Sequence, residues 1–119
     1  AQICASGIRA GQEAKVNMTE SQIAGSIYKA MCDQGGEYPA YPPFVAAGRN
    51  GCIGHYTGSG HSVLREGELL FLEIGGCFER YHAAMMRSCY VGTELPADLV
   101  QVELAVQKAM EVSVSLLRP

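Results

Sequence analysis

Basic charge is scarce and dispersed in this chain. Nine Lys and Arg are spread over 119 residues against twelve Asp and Glu, giving a formal charge of −3. Neutralising nucleic-acid phosphate or an anionic membrane takes clustered cations, so neither partner is expected. No uninterrupted apolar run comes near the ~20 residues of a membrane span. The opening stretch AQICASGIRAGQEAK lacks the basic-then-apolar layout of a secretory leader. Five cysteines, an odd number, stand at 4, 32, 52, 77 and 89 with no C-x-x-C spacing. That arrangement suggests neither a disulfide framework nor a zinc–thiolate site. Buried free thiols in a cytoplasmic protein are the expectation. Repeats, linkers and low-complexity segments are absent too. With 48% apolar residues, the chain is expected to build one modest core.

What is present is punctuated clearly. Residues 1–15 read as the end of a helix. Thr19-Glu20-Ser21-Gln22 is a Thr-x-x-Gln capping box, and Ile23, Ile27, Ala30 and Met31 follow at helical spacing. Gly35-Gly36 supplies the left-handed backbone that ends such a run. Tyr38 to Pro43 holds three prolines, so it is neither helix nor central strand. Phe44 to Ala47 is a short apolar strand. Five glycines between Gly48 and Gly60 make a loop able to turn sharply and approach a ligand. Leu69 to Ile74 reads as a strand buried on both faces, with a turn or bulge at Gly75-Gly76 and a return strand from Phe78 to Val91. Pro96 and Asp98 suit a helix first turn. Leu99, Val102, Val106, Met110, Ser113 and Leu117 then trace one helical face. This order predicts an α+β fold with helices packed on one side of a curved antiparallel sheet.

Four residues carry the chemical interest. His55 sits in the glycine loop; an imidazole near pKa ~6.5 can accept and donate a proton within one cycle. By residue type alone, a loop histidine bonded to a backbone carbonyl is the competing reading. Glu73 follows Leu69-Leu70-Phe71-Leu72, where a carboxylate is costly unless a cation, a metal or hydrogen-bond donors meet it. Arg80 and Arg87 are candidate partners for it. His82 alternates with Tyr81 and faces either a pocket or the helices. His61, in Gly58-Ser59-Gly60-His61, matches no phosphate-cradling motif and reads as loop surface.

The run from FVAAGRNGCIGHYTG through VLREGELLFLEIGGCFERYHAAMMRSCYVG resembles the catalytic domain of the pita-bread or peptidase M24 family, which includes creatinase, Xaa-Pro aminopeptidase and methionine aminopeptidase. The resemblance covers nearly all of this chain. It implies that residues 1–119 form the N-terminal half of that domain, a fragment of a longer, mostly homodimeric enzyme. It aligns His55 with the family's loop histidine. Glu73 and Ala84 fall where the metallopeptidases carry two metal-binding aspartates. Alanine has no ligand atom, so a bridged two-metal site is incomplete. Creatinase also has Ala there and works without metal, but it carries a Glu before the arginine, where this chain has Met86. The resemblance is closest to metal-free creatinase- and ectoine-hydrolase-like members. It implies C–N hydrolysis of a small zwitterion, with His55 as acid/base and Glu73, Arg87 and His82 binding substrate, and no cofactor. Two alternatives accompany it. One is an Xaa-Pro aminopeptidase-like enzyme with an altered site binding Mn, Fe, Co or Zn; the other is a non-catalytic pita-bread module that binds peptides or partners.

Overall fold

The computed structural model describes residues 1–58 and 60–117; Ser59 of the glycine loop and the terminal Arg118 and Pro119 lie outside the described residues. Helices α1 (Gln2–Gln12) and α2 (Glu20–Asp33) come first, then strand β1 (Phe44–Ala47) and a short 3-10 turn at Gly48–Cys52. Strands β2 (Leu69–Phe78) and β3 (Tyr81–Tyr90) follow, and helix α3 (Ala97–Leu116) closes the order. The three strands form one antiparallel sheet in the order β1-β2-β3.

The start of α2 forms as its sequence dictates. The Thr19 side chain accepts from the Gln22 N–H at 3.2 Å, and the Gln22 side chain accepts from the Thr19 N–H at 2.8 Å. The helix stops at Asp33, and Gly35 adopts φ 76° just beyond it. Stretch 60–64 runs beside 17–21: the Leu64 N–H donates to the Met18 carbonyl, and the Glu20 N–H to that of Ser62.

The core lies between the sheet and α1 with α2. Ile23, Ile27, Met31, Leu64, Leu70, Leu72 and Ile74 are all almost wholly buried. The helices approach the sheet closely because α1 offers glycines. A Cβ on Gly7 would lie 2.8 Å from Ile74 Cδ1, and one on Gly11 would lie 2.6 Å from Leu72 Cδ1. Reciprocally, Gly76 of β2 makes room for Cys4, whose Sγ would be 2.7 Å from any added Cβ.

Three sequence expectations change. First, Gly75-Gly76 is not the turn: β2 runs through it, and Phe78 pairs with Tyr81 around a two-residue turn at Glu79-Arg80. Both turn residues have positive φ (47° and 65°), normally the province of Asn and Gly. Glu37 holds them there. Its carboxylate accepts from the Glu79 N–H at 2.9 Å and pairs with Arg80 at 3.5 Å, while Arg80 also donates to the Tyr38 carbonyl. Second, β2 is fully buried on one face only: Leu70, Leu72 and Ile74 are buried, whereas Leu69 is exposed and Phe71 and Glu73 are half-buried. Third, Pro96 caps α3 from outside, and beyond the half-buried Leu99 the expected apolar face is exposed among the described residues. Val102, Val106 and Met110 are 53–61% exposed, and apolar residues on other sides, Leu104 and Val114 among them, are exposed too.

Candidate active site

Side chains alternate along a strand, and directly paired residues of neighbouring strands share a face. Glu73 pairs with Phe44 of β1 and Met86 of β3, so these three side chains lie on the sheet face turned away from the helices. Ala84, paired with Gly75, is on the same face. The Glu73 carboxylate is therefore set among a ring, a thioether and a methyl group. Among the described residues it has no ion pair or hydrogen bond. Arg80 is committed to Glu37. Arg87 pairs with Leu72, which puts it on the helix side of the sheet, and it donates to the Met86 carbonyl at 2.6 Å.

The loop after β1 brings His55 to this face. Its imidazole stands edge-on to Phe44, with ring centroids 6.0 Å apart at 78°. Tyr41 stacks on Phe44 at 5.3 Å, so Phe44 is only 8% exposed despite its position on the open face. The His55 ring is solvent-exposed and hydrogen-bonded to no described residue, which leaves both nitrogens available for proton exchange. The loop-histidine-to-carbonyl alternative is thus not the geometry found. Its backbone sits at φ 51°, unusual for a residue other than glycine.

One further residue enters only through the structure. Glu20, in the first turn of α2, is 2% exposed and has no cationic partner among the described residues. Three donors meet it: the Ala47 N–H at 2.9 Å, the Asn50 amide at 2.9 Å and the Tyr56 hydroxyl at 3.0 Å. The Asn50 amide also lies 2.9 Å from both the Tyr56 and Ser62 hydroxyl oxygens. Lost hydration pushes the Tyr56 phenol above its ordinary pKa, with the Glu20 hydrogen bond and charge adding to this and the Ser62 bond opposing it. Sequence reading counts Glu20 only within the capping box, because its donors lie 27 to 36 residues away.

The remaining candidates lie elsewhere. The two ring nitrogens of His82 face backbone groups: Nε2 accepts from the Ala40 N–H at 3.2 Å, and Nδ1 is 3.1 Å from the Arg80 carbonyl. That ring fastens the proline-rich stretch to the hairpin. His61 is exposed on stretch 60–64. A cavity of about 180 Å³ lies between Glu20, Ala24, Pro43, Phe44 and Tyr56. That is smaller than the ~300 Å³ or more typical of pockets for drug-sized ligands. Among the described residues no three His, Cys, Asp or Glu side chains gather as metal ligands. One carboxylate beside Ala84 does not fit a two-metal centre.

Comparison with known proteins gives the family and the fold. Residues 1–119 match the metallopeptidase family M24. Ectoine hydrolase from Halomonas elongata is 38% identical over 85 residues, covering 71% of this chain and 21% of that protein. Xaa-Pro aminopeptidase from Escherichia coli is 29% identical over 111 residues, covering 93% of this chain and 25% of that protein. The solved zinc-substituted E. coli aminopeptidase P in complex with product superposes with a TM-score of 0.90 at 28% identity, covering 99% of this chain and 27% of that one. Proline aminopeptidase P II from Yersinia pestis gives the same TM-score at 32% identity, with the same coverage. The chain thus spans about a quarter of the length of these relatives.

Proposed function

Because the chain belongs to metallopeptidase family M24 and has its pita-bread architecture, we propose that it supplies the N-terminal half of a catalytic domain hydrolysing a C–N bond in a small zwitterion. The substrate class is a cyclic amidine or guanidino compound of the ectoine type. The observation that carries this reading is the convergence of His55 and the unpartnered Glu73 around Phe44, beside an alanine that offers no metal ligand. The Glu73 carboxylate binds the amidinium cation by charge-assisted hydrogen bonds. His55 takes a proton from water as the water oxygen bonds to the amidinium carbon. It returns that proton to the departing ring nitrogen as the C–N bond breaks, so one water is consumed and an amide and an amine result. Arg87 and His82 receive no substrate contact in this scheme: one is on the far side of the sheet and the other is bonded to backbone. The similarity to ectoine hydrolase supports the substrate class.

A second reading is an Xaa-Pro aminopeptidase-like enzyme in which Glu73 helps bind a metal. The TM-score of 0.90 to aminopeptidase P favours it. A second copy of the chain is the proposed partner, covering the apolar surface of α3.

The experiment is elemental analysis of the full-length protein purified without chelator, with hydrolysis assays on ectoine, creatine and an Xaa-Pro peptide. Substoichiometric metal with ectoine or creatine turnover, abolished in His55→Ala, supports the first reading. One or two bound transition metals with peptide cleavage replaces it with the second. A protein that hydrolyses none of the three counts against both readings.

A further inference from the structure

The buried carboxylate of Glu20 is not explained by stability alone. A carboxylate taken out of water without a cation is costly, and donors only offset that cost. Each of its three donors, however, belongs to the segment that carries His55. Ala47 is the last residue of β1, Asn50 lies in the 3-10 turn, and Tyr56 follows His55 directly. The histidine thus stands between two anchored points, Asn50 and Tyr56, that meet at one carboxylate. It also has φ 51°, a conformation that persists in a non-glycine residue only when its surroundings fix it.

We propose that Glu20 is a positioning residue that holds His55 at the open sheet face by tying Ala47, Asn50 and Tyr56 to the start of α2. This rests on the reading of His55 as the acid/base. Glu20 acts through the loop: the residue is 2% exposed and its carboxylate is taken up by these three donors.

The test uses the full-length protein with ectoine as probe. Misplacing a catalytic group by an ångström can cost ~100-fold, so Glu20→Ala is expected to lower kcat ~10- to 100-fold with KM changed less than ~3-fold. Glu20→Gln keeps an acceptor for Ala47 and Asn50 and lets the Tyr56 hydroxyl accept instead of donate. It is expected to restore most of kcat and to leave the pH–rate limb of His55 in place. Tyr56→Phe, which keeps the ring but cuts the bond to Glu20, should fall between the two; it also serves if Glu20→Ala does not fold. Folded Glu20→Ala or Tyr56→Phe with unchanged kcat overturns the proposal. So does an inactive Glu20→Gln that has lost the pH limb, because Glu20 would then be exchanging protons itself. Hydrogen exchange at the Ala47 N–H judges the anchoring without substrate. Faster exchange in Glu20→Ala is expected, and unchanged exchange overturns the anchoring whatever the activity. Wild-type turnover by His55→Ala would instead sink the underlying reading of His55.

Discussion

Phe44 and Glu73 face each other across the β1–β2 ladder, and His55 stands edge-on to the same phenyl ring. One aromatic side chain thereby sets the spacing between the candidate proton carrier and the candidate cation site. Packed between Tyr41 and His55, that ring is a rigid reference for both groups.

Glu73 is expected to matter for turnover and hardly at all for folding. Its carboxylate has no partner among the described residues, so Glu73→Gln gives up no ion pair and sheds a half-buried charge. Its unfolding free energy should stay within ~0.5 kcal/mol of wild type or rise. Hydrolysis of a cationic substrate should fall at least tenfold. A variant that is strongly destabilised, or fully active, would contradict the assigned role.

The capping box gives a local prediction. Thr19→Ala removes the acceptor for the Gln22 N–H, and should cost about 1 kcal/mol in urea unfolding. Thr19→Ser should recover most of it.

Adjacent glycines should respond oppositely. A methyl at position 76 would press on Cys4, both at Sγ (2.7 Å) and at the backbone nitrogen (3.2 Å), so Gly76→Ala should destabilise by roughly 1–3 kcal/mol. At position 75 the nearest atom would be Pro39 Cβ at 3.9 Å, ordinary contact. Gly75→Ala is therefore expected to be neutral or to stabilise by up to ~1 kcal/mol through the unfolded chain. Paired thermal melts of the two variants decide it.

Alkaline pH should weaken the fold through Cys89. Burial pushes its thiol upward, while the Gln12 hydrogen bond and the Arg87 charge pull it partly back. Its folded pKa lies above the ordinary value of 9.0, so the native state prefers the protonated form. That contribution is complete below pH 9 and is lost as pH climbs through the folded value. Urea midpoints at pH 7 and pH 10.5 should differ less in Cys89→Ala than in wild type. An equal difference would mean that Cys89 does not contribute.

The surface of α3 calls for a cover. The 119-residue chain alone is expected to sediment above its 12.7 kDa monomer mass at micromolar concentration. Val106→Glu with Met110→Lys should return it toward the monomer. A sharp monomer at every concentration, without these changes, would count against association through α3.

What was legible in the sequence is what local chemistry decides. Thr19 and Gln22 are three residues apart, and the box they form needs nothing from elsewhere. Glu73 stood out because an acid interrupting Leu-Leu-Phe-Leu needs a reason. The hairpin turn was misplaced because Gly75-Gly76 has the better intrinsic preference, whereas Glu79-Arg80 is held by Glu37, 42 residues earlier in the case of the Glu79 bond. The faces of Arg87 and His82 depend on strand register, which a one-residue shift would reverse. Glu20 was hidden for the same reason as the turn: its meaning lies in distant donors. The apolar residues of α3 point to a helix but not to the surface that it meets.

The interlocked back of the sheet has a consequence for the front. Ile74 and Leu72 sink into the notches left by Gly7 and Gly11 of α1, and Glu73 lies between them, pointing the other way. A methyl group added to either glycine would meet the tip of Ile74 or Leu72, and those side chains would have to shift to admit it. Two residues without functional groups thus set how closely the helix approaches the strand that carries Glu73.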